Sequence, residues 1–130
     1  MKNNVSKLFL LLMMISLVVN IGCKKKNEGI DITDGTWAFS LETAEDSPVV
    51  IYDFRGNLQQ GCVYYSQECR GPYTVSGDIV NFTVNHYGSD NSLYLYTYSG
   101  FLGDYNHMSG SFYVSYPDGS TVSGTFTAER

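Results

Sequence analysis

Two of the three cysteines and both histidines are the residues whose types allow covalent or metal chemistry. Six residues separate Cys62 from Cys69, and His86 and His107 follow much later in the chain. A hairpin that turns at residues 64–67 would place the two cysteines directly opposite each other, where a disulfide would add roughly 2 kcal/mol of stability. This spacing matches no standard zinc pattern. We therefore predict a disulfide between the two cysteines. The alternatives are two free thiols, or a metal site that the histidines complete.

Catalysis would require a nucleophile or a carboxylate within hydrogen-bond reach of a histidine. Ser109 and Ser111 lie near His107 in the sequence, but no nucleophile-elbow pattern surrounds either serine. Both histidines are expected at strand ends, where histidines with satisfied hydrogen bonds are common. The sequence thus predicts no catalytic residue, no cofactor and no bound metal, so we expect a protein that is not an enzyme.

Three tyrosines alternate with apolar or small residues in Leu93-Tyr94-Leu95-Tyr96-Thr97-Tyr98. The alternation places Tyr94, Tyr96 and Tyr98 on one face of a strand. On an outer face they would form an exposed ladder that could stack on a sugar or a protein. On an inner face they could line a ligand cavity. The interpretation that we favour is cross-strand aromatic packing without a ligand.

The segments that position these side chains have the pattern of short β-strands. Trp37, Phe39 and Leu41 alternate with small or polar residues, which is typical of a half-buried strand. Similar runs recur about every 12 residues, separated by turn-forming residues such as Pro117-Asp118-Gly119-Ser120. The predicted strands are 36–41, 49–54, 58–65, 71–76, 79–86, 93–98, 108–116 and 121–128.

Strands joined by such short connections predict an all-β, antiparallel, up-and-down meander. Eight strands can close into a barrel and so pair every edge, and we favour this barrel over a two-sheet β-sandwich. We expect Tyr116 and Val122 to point inward with the core residues. Phe39, Phe82, Leu95 and Phe112 would line a cavity, unless the side chains fill a barrel of this size completely.

The charge distribution excludes one class of partner. The formal net charge is −5, and beyond residue 26 only Arg55, Arg70 and Arg130 are basic. Nucleic-acid binding needs lysine and arginine to neutralise phosphates. We therefore expect no nucleic-acid partner, while an acidic surface of this kind keeps a protein soluble.

The first 23 residues have the three parts of an export signal. A short start with Lys2 and Lys7 precedes an apolar run over 8–19, which is too short to span a bilayer as a helix. Gly22 then precedes Cys23. The segment resembles the signal of small lipoproteins of Bacteroidota-like bacteria, which implies cleavage after residue 22 and a lipid on Cys23. An uncleaved anchor and a plain secretory signal are the alternatives.

The division of the chain follows from this resemblance. Residues 1–22 would be the signal peptide, 23–30 the lipidated cysteine with a flexible tether, and 31–130 the β-barrel domain. There are two interpretations of Lys24, Lys25 and Lys26. Each could contribute roughly 1 kcal/mol of binding free energy to anionic lipid headgroups, or all three could remain solvated without a specific role. The resemblance implies a cell-envelope protein, held by its lipid to the inner or outer membrane and facing the periplasm or the exterior.

Gly35-Thr36-Trp37 matches the G-x-W with which lipocalins begin their first strand. In that family the tryptophan closes the floor of the barrel, and a basic residue after the last strand packs over it. Arg130 follows the last predicted strand and could take that part. The chain therefore resembles a lipocalin-like barrel, and the resemblance implies barrel closure by Trp37 and Arg130.

A second resemblance lies in Ser109-Gly110-Ser111-Phe112-Tyr113. This segment is similar to the S-G-x-x-Y pattern of small lipoprotein lysozyme inhibitors, which are also eight-stranded barrels. Our leading prediction is a lipid-anchored, non-enzymatic barrel that binds a small hydrophobic ligand, a glycan or a partner surface. A protein-interaction or inhibitor module, and a structural lipoprotein without a ligand, are the alternatives.

Overall fold

The computed structural model describes residues 29–130, which form β-strands, turns and no helix, and so no helix able to cross a bilayer. This confirms the all-β prediction. The strands are β1 (Thr36–Glu42), β2 (Val49–Gly56), β3 (Gln60–Tyr65), β4 (Glu68–Ser76), β5 (Ile79–Tyr87), β6 (Leu93–Asp104), β7 (His107–Ser115) and β8 (Thr121–Glu129).

Every strand pairs in antiparallel fashion with its neighbour in the sequence, and β8 returns to pair with β1. The predicted up-and-down barrel is therefore confirmed, and the sandwich alternative is wrong. In the closing pair, Phe39 lies opposite Ala128 and Leu41 opposite Phe126. Closure gives each of the eight described strands a paired neighbour on both sides, so none of them is a free edge strand.

Alternation along each strand sends one row of side chains into the barrel. Trp37, Phe39 and Leu41 are buried as predicted, and Phe112 and Val114 are buried in the same way on β7. The interior is filled largely with aromatic rings. Phe39 on β1 lies 5.6 Å from Phe82 on β5, measured between ring centres, although these strands stand on opposite walls. The middle of the barrel thus has no space for a ligand.

β6 is longer than the sequence pattern predicted. It continues through Gly100 to Asp104, whereas the prediction ended it at Tyr98. Gly100 is inward-facing, and a Cβ atom there would lie 2.8 Å from Cζ of Phe126. Glycine is needed because the phenylalanine ring occupies the space, so this glycine marks close packing and not a turn.

Several other strand boundaries also differ from the prediction, by one to three residues. β3 begins at Gln60 because Oδ1 of Asn57 accepts the backbone N–H groups of Gln59 and Gln60 at 2.9 Å, which forms a turn. β4 begins at Glu68, and β7 ends one residue before Tyr116. These shifts lengthen or shorten strands without altering the topology.

Candidate functional site at the open end of the barrel

One end of the barrel is closed by the segment that precedes β1. Ile32 is fully buried, and its carbonyl oxygen accepts a 2.9 Å hydrogen bond from Nε1 of Trp37, which is also fully buried. Ile30 packs against the same core. These apolar side chains plug the lumen, and we call this the closed end. The chain therefore enters the barrel at its closed end.

Arg130, the last residue of the printed sequence, contacts the residues that close this end of the barrel. Its guanidinium lies 4.6 Å from the centre of the Trp37 ring and 3.8 Å from that of Tyr105. The same group donates hydrogen bonds of 2.5 to 2.7 Å to the carbonyl oxygens of Asp31, Asp34 and Tyr105. Trp37 and Arg130 are thus in contact at this end, which is the arrangement that the resemblance to lipocalins implied.

The opposite, open end is lined by a group of half-buried rings that we call the tyrosine mouth: Tyr65, His86, Tyr94, Tyr96 and Tyr116. In an up-and-down barrel the ends of odd strands and the starts of even strands meet at one end, which brings these distant residues together. The ring centre of His86 lies 4.7 Å from that of Tyr65 and 4.6 Å from that of Tyr96. The rings of Tyr94 and Tyr116 are 5.5 Å apart.

Two buried tyrosines form the floor of the tyrosine mouth. The hydroxyl oxygen of Tyr52 lies 2.9 Å from Nε2 of His86 and 2.8 Å from the hydroxyl oxygen of Tyr98. This hydrogen-bonded chain satisfies polar groups that would be costly to bury alone. Below it lie the rings of Phe39 and Phe82, each within 6 Å of both tyrosines. The polar part of the lumen therefore ends at this floor.

Burial changes the ionisation of these groups. It lowers the pKa of His86 to about 4, with a smaller contribution from the positive charge of Arg70. It also raises the pKa of Tyr52 and Tyr98 above the ordinary tyrosine value. The imidazole and both phenols are consequently uncharged at neutral pH. The floor can donate and accept hydrogen bonds but offers no ionic partner.

The charged groups near the open end are mostly engaged within their own segments. Asp90 accepts the backbone N–H of Ser92, and Asp118 accepts that of Ser120. Arg70 forms a 2.9 Å ion pair with Glu68. Carboxylates therefore surround the tyrosine mouth at the level of the loops, whereas its lining is aromatic and uncharged.

Cys62 and Cys69 form the predicted disulfide, with their Cα atoms 5.8 Å apart. They are not directly opposite, however, because Cys62 faces Pro72 and Cys69 faces Tyr64 in the strand register. A β-bulge shifts the register after Val63, so the bond crosses the hairpin diagonally. The bond removes both thiolates from any metal site, and the free-thiol and metal alternatives for this pair are wrong.

His86 and His107 lie at opposite ends of the barrel. Nδ1 of His107 is 2.8 Å from Oδ1 of Asp104, and Nε2 is 3.7 Å from Glu129, all exposed at the closed end. The hydrogen bond to Asp104 raises the pKa of His107. Among residues 29–130, no three histidine, cysteine or acidic side chains come together as a metal-ligand set.

The serines near His107 belong to a regular strand. Ser109 and Ser111 lie in β7, opposite Thr127 and Thr125 of β8. The S-G-x-x-Y segment is therefore a strand paired on both sides, with Tyr113 exposed on the outer wall. The structure assigns no hydrogen bond between His107 and either serine among the described residues.

The exposed tyrosine ladder on β6 does not form. Tyr98 is 1% exposed and lies in the core, while Tyr94 and Tyr96 are half-buried on the same inward face. Leu95 points to the other face and lines no cavity with the phenylalanines. The rings pack across strands, as in the contact of Tyr96 with Phe112 at 6.4 Å between ring centres. This is the favoured cross-strand packing, but it lies inside the barrel.

Sequence reasoning missed part of the tyrosine mouth and of its floor. Tyr52, Tyr65 and Tyr116 were not selected as site residues, and His86 was considered only for catalysis or metal. What these residues share is an inward position in the open-end half of the barrel, and that position depends on strand register. Val122 belongs to the same inward row as Phe126, but it is 36% exposed because it lies at the rim.

Comparison with known proteins gives no match: no family model, curated protein or solved structure is significantly similar to this chain. The predicted lipidation of Cys23, the signal over 1–22 and most of the 23–30 tether lie outside the described residues.

Proposed function

We propose that this protein is a lipid-anchored, non-enzymatic binding barrel of the cell envelope that holds its partner at the tyrosine mouth. The main observation in support of this proposal is the difference between the two ends of the barrel. Trp37, Ile32 and Arg130 seal one end, while half-buried aromatic groups line the other. Aromatic side chains that combine ring faces with polar tips are typical of binding surfaces.

The position of the chain entry supports the membrane part of the proposal. The described chain begins at Gly29 and enters the barrel at the closed end. A lipid on Cys23 would leave only a short tether between the bilayer and this end. The tyrosine mouth would then face away from the membrane, where a partner can approach it.

The chemistry of the tyrosine mouth supports binding without catalysis. Its only imidazole, His86, is hydrogen-bonded to Tyr52 and is paired with no carboxylate or serine among the described residues. General acid–base catalysis works best with a pKa near the operating pH, and that of His86 is lowered to about 4. The filled lumen beneath also restricts binding to the surface of the open end.

Two measurements test this proposal. Mass spectrometry of the protein from its source should show a chain that begins at a lipidated Cys23, and the Cys23→Ser variant should leave the membrane fraction. A delipidated cell-envelope extract should shift the NMR signals of His86 and Tyr96 while the closed-end signals of Trp37 stay unchanged. An unlipidated mature chain would disprove the anchor, and shifts confined to the closed end would disprove the binding site.

A further inference from the structure

We propose that the tyrosine mouth binds a neutral carbohydrate. This inference rests on the proposed function and specifies the class of ligand for the same site. Its basis is the combination of a shallow floor, unused hydrogen-bonding groups and an uncharged aromatic lining.

The floor excludes a long apolar chain. Tyr52 and Tyr98 are each no more than 1% exposed, and their hydroxyl groups are joined by a 2.8 Å hydrogen bond. Beneath them the rings of Phe39 and Phe82 meet across the lumen. An acyl chain or a flat polycyclic ligand needs depth to bury its surface, and the lumen provides none below this level.

The lining has free polar groups beside its rings. Within residues 29–130, the hydroxyl groups of Tyr65, Tyr94, Tyr96 and Tyr116 make no hydrogen bond to another residue, and Nδ1 of His86 makes none either. None of these atoms is buried without a partner, so solvent reaches them. A sugar presents apolar C–H faces that stack on rings and hydroxyl groups that bond to such polar tips.

The charges near the site favour a neutral ligand. The carboxylates of the open-end loops, such as Asp90 and Asp118, oppose an anion. Arg70 is close enough to lower the pKa of His86, and its positive charge opposes a cation within the lining. Arg70 is already paired with Glu68 at 2.9 Å, and Asp90 and Asp118 already accept hydrogen bonds within their own loops, so these groups favour neither a phosphate nor an ammonium group over a neutral ligand.

The test uses the purified protein and five probes. Maltotetraose, cellotetraose and tetra-N-acetylchitotetraose represent neutral sugars, laurate an apolar anion and tetramethylammonium a cation. We expect at least one oligosaccharide to shift the His86 imidazole and the tyrosine ring signals in NMR titrations, with Trp37 unchanged. If no oligosaccharide shifts them, the carbohydrate inference is wrong. Shifts by laurate or tetramethylammonium alone would retain the binding site and overturn only the ligand class.

Removing single tyrosine hydroxyl groups distinguishes a sugar, which should form hydrogen bonds to them, from a ligand that only stacks on the aromatic rings. Tyr94→Phe and Tyr116→Phe keep the packing but remove one hydrogen-bonding group each, so each should weaken oligosaccharide binding roughly 2- to 10-fold. Tyr113→Phe, which alters a hydroxyl on the outer wall of β7, is the matched control and should leave binding unchanged. Equal affinity in all three variants would overturn the inference.

Discussion

The two ends of this barrel use aromatic residues in opposite ways. At the closed end, Trp37 is fully buried. Its indole N–H donates a hydrogen bond to the carbonyl oxygen of Ile32, and the Arg130 guanidinium lies over its ring. At the open end, Tyr94 and Tyr96 are only half-buried, and their hydroxyl groups have no partner among the described residues. The comparison teaches that aromatic content alone does not identify a site, and that the proposed site depends on half-buried rings whose hydroxyl groups reach solvent.

The largest expected effect is the loss of the closed-end plug. Trp37→Ala should lower the free energy of unfolding by about 3–5 kcal/mol because it leaves a large cavity under Arg130. Tyr94→Ala, at the half-buried open end, should cost only about 1–2 kcal/mol. Urea unfolding of both variants measures the contrast. Equal losses would show that the two ends contribute alike to stability and would break the comparison.

The disulfide near the open end should give the next largest effect. Replacing both Cys62 and Cys69 by serine should cost about 2 kcal/mol, since the bond restricts a short loop of the unfolded chain. The barrel should still form, because the core lies elsewhere. Thermal unfolding with and without a reducing agent checks this, and the serine variant should be insensitive to the reductant. A loss of the β-sheet circular dichroism signal on reduction would contradict the prediction.

The two histidines should respond to pH with opposite sign. Burial lowers the pKa of His86 to about 4, so the imidazole is neutral in the folded protein at neutral pH and must be protonated in acid. Stability should fall as the pH drops from 6.5 towards 4, by about 1–2 kcal/mol after allowance for partial exposure. His107 has a raised pKa, and its contribution is present below pH 6.5 and is lost as the pH rises through the folded value.

NMR titration of the two imidazole rings measures these pKa values directly. The His86→Gln variant should lose much of the acid sensitivity between pH 6.5 and 4 that the wild type shows in urea unfolding. His107→Gln is the matched control and should keep that sensitivity. If His86 titrates near or above 6.5, the open end is more hydrated than the structure indicates.

The smallest effect concerns the turn that joins β3 to β4 at the open end. Ser66 and Gln67 have φ angles of 51° and 64°, a left-handed conformation that asparagine and glycine adopt more easily. The double change Ser66→Asn and Gln67→Gly should therefore stabilise the protein by about 0.5–1 kcal/mol. The thermal midpoint should rise slightly. A decrease would indicate that these side chains make favourable contacts at the rim.

Strand periodicity made most of the fold predictable, whereas the site depended on register. The alternation of Trp37, Phe39 and Leu41 and the turn at 117–120 were sufficient for strands and hairpins. The β-bulge after Val63 and the inward packing of Gly100 against Phe126 left no local signal. Tyr65 and His86 are 21 positions apart, so their contact could be inferred only after the pairing of β3, β4 and β5 was known.

The ring of Phe39 can serve as an internal probe of barrel motion. Five other rings surround it, from Tyr52, Phe54, Phe82, Tyr98 and Phe126. Half-turn rotation of an enclosed ring requires its neighbours to separate briefly, because protein interiors are close-packed. The flip rate of Phe39 should therefore report how often opposite walls part, and ring currents should move its proton resonances far from their usual frequencies.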